Sequence, residues 1–93
     1  MDVKKDDFQK KFDKKFGEFI REKRKKIGSI ELFLCNSPEL NISRYHYGAI
    51  ERGERSVSLY KALDIINHLN NYIDEKITIN DLLEIMSECK MGD

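Results

Sequence analysis

Tryptophan is absent from the 93 residues, proline occurs once, cysteine twice and glycine five times. So little proline and glycine argues against a disordered chain and against an all-β chain built on tight turns. Cys35 and Cys89 show no paired spacing, which excludes a disulfide framework and suits a reduced, cytoplasmic setting. No unbroken apolar run exceeds Leu32–Cys35, far short of the ~20 residues of a membrane helix. No apolar stretch follows Met1-Asp2-Val3-Lys4-Lys5, so no secretory leader is expected. Net charge is missing too, because 17 basic side chains cancel 17 acidic ones. The cancellation hides a gradient. Residues 1–28 carry eleven basic and six acidic side chains, residues 29–62 four of each, and residues 63–93 two basic against seven acidic.

What remains is a chain 40% apolar and 37% charged, short enough for one domain that buries roughly 60–65% of its unfolded surface. Its histidines and cysteines (Cys35, His46, His68, Cys89) lie too far apart in sequence for a zinc motif, and no glycine-rich phosphate loop occurs. No metal, cofactor or enzymatic activity is expected. Cys35 reads most simply as a small core residue.

Helical periodicity dominates. Phe8, Phe12, Phe16, Phe19, Ile20 and Ile27 fall on one face of a helix over residues 6–27, with lysine and arginine opposite. Gly17 marks a bend or the close passage of another helix, and Gly28 a stop. Ser29 caps a second helix from Ile30, which ends before Pro38. Ser37 and Pro38 begin one further turn. Ser43 caps a third helix over residues 44–52 that Gly53 ends. Its inward stripe is Tyr47 and Ile50. Ser56 or Ser58 caps a fourth helix near residues 58–70, which carries Leu59, Ala62, Leu63, Ile65, Ile66 and Leu69. After a loop over residues 71–77, Thr78 and Asp81 form a variant capping box. The fifth helix then runs to about Cys89, burying Ile79, Leu82, Leu83, Ile85 and Met86.

Several segments sharpen this pattern. They are Phe16-Gly17-Glu18-Phe19-Ile20-Arg21-Glu22-Lys23-Arg24, Ile42-Ser43-Arg44-Tyr45, Ile50-Glu51-Arg52-Gly53-Glu54-Arg55 and the apolar residues of the fourth helix. Their order and spacing, from Phe16 to Leu69, resemble the Cro/repressor-type helix-turn-helix family, the xenobiotic-response-element-like regulators of bacteria, phages and plasmids. The resemblance implies an all-α, five-helix bundle, here with an extended first helix. Residues 1–15 would be a lysine-rich extension, 16–70 the DNA-binding core, and 71–93 a loop and a dimerisation helix. The segment between the second and third helices is longer than the family's usual turn, which implies an enlarged turn. Ser29-Ile30-Glu31 stands where the family carries a glutamine near the start of the second helix.

The resemblance assigns roles. The third helix would enter the major groove, with Arg44, Tyr45, His46 and Ala49 at base edges. An arginine forked to guanine is worth about 1–3 kcal/mol of discrimination. Ser29, Ser43, Lys25, Lys26, Arg52 and Arg55 would meet the phosphate backbone. Against these stand plainer readings: a solvated Arg44, an exposed Tyr45 without a role, a His46 that touches nothing. Glu51 would pair with Arg24, locking the recognition helix to the first; alternatively Arg24 is itself a phosphate contact. Leu82, Leu83, Ile85 and Met86 would form the dimer interface. The expected function is a sequence-specific regulator of transcription, in its simplest form a repressor, that binds a palindromic operator on double-stranded DNA as a homodimer. Regulation would fall to a partner protein, proteolysis or concentration. The alternative is an interaction module, such as an antitoxin or anti-repressor, that keeps the fold with weak or no DNA binding. The lysines around Phe8, Phe12 and Phe16 also fit a basic amphipathic helix for membranes or protein grooves. More simply, those phenylalanines pack on the fifth helix or a second subunit.

Overall fold

A computed structural model describes residues 7–91, without the side chain of Met91. Lys4, Lys5 and Asp6, assigned above to the extension and the helix start, lie outside the described residues, as do residues 92–93. The described chain is all-helical: α1 (Asp7–Lys25), α2 (Ile30–Cys35), a single 3₁₀ turn (Pro38–Leu40), α3 (Arg44–Glu51), α4 (Leu59–Asn70) and α5 (Ile79–Met91). No described helix is long and apolar enough to cross a membrane.

Serine starts three of these helices. The Oγ atoms of Ser29, Ser43 and Ser58 accept the backbone N–H of Leu32, His46 and Lys61, at 3.1, 3.0 and 3.1 Å. Each satisfies one of the donors that a helix N-terminus leaves unpaired. Asp81 does the same from inside α5, its carboxylate accepting the Thr78 N–H at 2.8 Å. Ser37 departs from its expected role. It gives the 3₁₀ turn no side-chain cap, and its buried Oγ has no hydrogen-bond partner among the described residues. Pro38 nevertheless opens that turn, and Asn41 closes it in the left-handed region at φ 52°.

α1 is the spine, packed against α3, α4 and α5. Phe16 and Ile20 of α1 meet Phe33, Leu40, Tyr47, Ile50, Ile65 and Leu69 in one core. Where α1 passes α3 there is room for no side chain. A β-carbon on Gly17 would come within 2.5 Å of the Ile50 and Glu51 carbonyl oxygens. Gly53, at φ +77°, ends α3 against the backbone of Lys14 in the same way.

Burial corrects several expectations. Of the α5 stripe, Leu82 and Ile85 join the core, whereas Ile79, Leu83 and Met86 are exposed. Cys89 is buried in their place and Cys35 is exposed. On α4, Leu59 and Leu63 face solvent. α5 packs chiefly on α1, and its flank of Ile79, Leu83 and Met86 stays open. The 71–77 loop contributes Ile73 and Ile77 to the core. The Asn70 side chain holds this loop, donating to the Ile77 carbonyl at 3.0 Å and accepting its N–H at 2.8 Å.

Candidate functional site

The end of α3 is locked to α1. Arg24 donates from Nε to Glu51 Oε2 at 3.0 Å and from Nη2 to Oε1 at 2.7 Å. Its Nη1 donates to the Gly28 carbonyl at 2.8 Å. One guanidinium therefore ties together α3 and the turn leading to α2. Both side chains are buried, with Arg24 8% and Glu51 5% exposed. The hydrogen bond to Glu51 raises the Arg24 pKa, and burial opposes it less strongly. Tyr47 packs alongside. Burial first, then the Glu51 carboxylate, push its phenol well above the usual 10.0. The Tyr47 hydroxyl has no hydrogen-bond partner among the described residues.

The other end of α3 is open. Ser43, Arg44 and Tyr45 are exposed, Tyr45 at 77%, and His46 is half-buried. Ala49, expected at the base edges, is 3% exposed and belongs to the inward face, so no ligand reaches it. One turn past His46, the helix has already rotated toward the core. Gly48 beside Ala49 is also buried, and a β-carbon there would meet Arg52 Nη1 at 3.1 Å and Ile30 of α2 at 4.0 Å.

The remaining candidates are divided between the two ends of α3. Ser29, Lys25 and Lys26 are exposed at the turn from α1 to α2. Arg55 lines a groove with Ser43, His46 and Lys61. Lys61, which sequence reasoning missed, donates from Nζ to the Leu40 carbonyl at 2.9 Å and so braces the 3₁₀ turn. Nothing marks it in the sequence beyond its place three residues after a cap. Asp13 was missed as well. This buried carboxylate of α1 accepts Ser56 Oγ at 2.6 Å and Gln9 Nε2 at 2.9 Å, anchoring the loop that follows Arg55.

Two of the arginines are already engaged. Arg44 lies 3.5 Å from Glu31 of α2, and Arg52 lies 3.1 Å from Glu54, an acid that raises its pKa. Both pairs are exposed, where such contacts contribute little and exchange readily. Of the expected dimer residues, Leu82 and Ile85 are committed to the chain's own core, while Leu83 and Met86 remain accessible. Among the described residues, no group of three His, Cys, Asp or Glu side chains is placed to hold a metal ion. No family model, curated protein or solved structure matches this chain.

Proposed function

We propose that the protein is a sequence-specific DNA-binding regulator of transcription, with α2, the turn and α3 as a helix-turn-helix of the Cro/repressor type. The observation that carries this reading is the asymmetry of α3. Its last turn is clamped by Arg24 and Glu51, while its first turn offers Ser43, Arg44 and Tyr45 to solvent. A groove-reading helix needs that arrangement, because it must be rigidly aimed yet bare at its N-terminal end. Arg44 and Tyr45 then meet base edges, with His46 at the margin. Ser29, Ser43, Lys25, Lys26, Arg52 and Arg55 meet phosphates, the two serines while still capping their helices. A homodimer, joined through the exposed row Ile79, Leu83 and Met86 of α5, reads the two halves of a palindrome.

Fluorescence anisotropy of labelled duplexes over a salt series tests the reading. Affinity should fall linearly in log salt. Arg44→Ala should relax base preference at one position, and Arg55→Ala should weaken all sequences alike. A second reading is favoured by one observation. Glu31 and Glu54 pair with Arg44 and Arg52, which suits a protein-interaction module. No binding to any duplex at low salt would select that reading.

A further inference from the structure

The lysine-rich start of α1 lies outside the helix-turn-helix, yet it is tied to the edge of that motif. Ser56 Oγ donates to Asp13 Oδ2 at 2.6 Å, and Ser56 lines the same groove as Ser43 and Arg55, both assigned above to phosphates. One residue on, the backbone of Lys14 meets Gly53 so closely that a β-carbon on the glycine would come within 2.8 Å of the Lys14 Cα. α1 therefore runs against the loop 53–56, and from Asp13 it continues about 9 Å further to Asp7. What it offers to solvent there is cationic. Lys10 and Lys14 are exposed and four residues apart, hence on one side of the helix. Neither forms an ion pair among the described residues, whereas Lys15 lies 3.9 Å from Glu88 and Lys61 3.8 Å from Asp64. Asp13 shares the stretch but is buried and accepts from Ser56 and Gln9. The apolar side is spent within the chain, since Phe16 belongs to the core and Phe12 packs against it. Those two rings are not free to enter a membrane, so the polar side carries the role of this stretch.

We propose that Lys10 and Lys14 bind backbone phosphates of the duplex just outside the half-site that α3 reads. This rests on the DNA-binding reading and extends its footprint to residues upstream of the family resemblance. Arg55 and Ser43 meet the phosphates beside the groove, and the two lysines continue that row along the flanking DNA. Such contacts carry no sequence information; they add affinity and fix the orientation of the protein on the duplex.

The test compares the full chain with the double variant Lys10→Gln, Lys14→Gln on two duplexes. One is a palindrome that wild type selects from a random library; the other adds about one helical turn of arbitrary sequence at each end. Glutamine keeps the helix propensity of lysine, and both positions are exposed, so the urea midpoint should not move. On the flanked duplex the variant should bind more weakly, and its slope of log affinity on log salt should be shallower by about two per bound chain. On the bare palindrome the two proteins should match. If the variant matches wild type on both duplexes, the DNA reading stands and this proposal falls. If it weakens both equally, the lysines act only through net charge, and the proposal falls as well. If wild type binds no duplex at low salt, both readings fall together. Vesicles rich in anionic lipid cover the other polyanion: binding to them that the double variant abolishes, with both duplexes unaffected, gives the lysines to a membrane surface and overturns the proposal.

Discussion

Arg24 makes three hydrogen bonds to two partners from a site only 8% exposed, and this is where a single side chain matters most. Truncation to alanine strands the Glu51 carboxylate in the interior. The expected cost is about 3–5 kcal/mol. Arg21→Ala, on the exposed face of the same helix, should change stability by no more than about 0.5 kcal/mol. Equal melting temperatures for the two variants would contradict the clamp. Lysine is no substitute, since one ammonium cannot reproduce the fork on both carboxylate oxygens. Tyr47 behaves oppositely. Its hydroxyl is buried without a hydrogen-bond partner among the described residues, so Tyr47→Phe should melt at the same temperature or higher near neutral pH. Alkali should separate the two proteins. The folded phenol has a raised pKa, so the unfolded chain loses this proton first, from about pH 10. Stability tied to this group is complete below that pH and drains away above it. Wild type should therefore lose stability more steeply than Tyr47→Phe between pH 9 and 11, as measured by urea midpoints; parallel curves would refute the assignment. The Arg24–Glu51 pair was legible in the sequence only through the family resemblance. Asp13 was not legible at all, because its partner Ser56 is 43 positions away and a buried aspartate on a helix looks like a surface one.

Helix starts were legible because their signals are local. A serine needs only the N–H three residues later, and Ser29, Ser43 and Ser58 all find it. Which apolar face is covered was less legible, because that depends on the neighbour and not on the helix. α5 shows the difference: Leu82, Ile85 and Cys89 face α1 and the core, while Ile79 and Leu83 have the same chemistry and are bare. Cys35 is exposed for a related reason, as a six-residue helix presents too short an arc for periodicity to orient. Gly17 was legible as either a bend or a close passage, and the geometry selects the passage. Gly17→Ala should gain about 1 kcal/mol of helix propensity yet lose more, since the new methyl meets two backbone carbonyls that cannot rotate aside. Overpacking of that kind costs about 1–3 kcal/mol. The net effect should be a lower urea midpoint and a looser Arg24–Glu51 fork; a higher midpoint would show that α1 and α3 can separate freely.

Charge is distributed over a molecule 40 Å in its longest extent, several times the ~8 Å screening length of physiological salt. Its zero total therefore says nothing about any one face. The basic first segment and the acidic last one touch where α1 and α5 pack, and Lys15 lies 3.9 Å from Glu88. That pair is exposed and contributes little. The local balance along α3 differs from the total: Glu31 sits against Arg44 at its first turn and Glu54 against Arg52 just past its last. In the proposed DNA-binding role these acids would oppose phosphates and hold the arginines back from them. If the face binds DNA, Glu31→Gln and Glu54→Gln should each raise affinity for a generic duplex, most at low salt. The advantage should shrink as salt rises, since screening removes the repulsion that the substitution relieves. Glu84→Gln, in the acidic α5, removes the same unit of charge from a helix that supplies none of the proposed contacts. It should change affinity less than either. Anisotropy measured over the same salt series for the three variants reads both effects. If Glu84→Gln matches the other two at every salt concentration, only net charge matters and the α3 face has no privileged role. If Glu31→Gln and Glu54→Gln bind as wild type does, the two ion pairs play no part in holding DNA off.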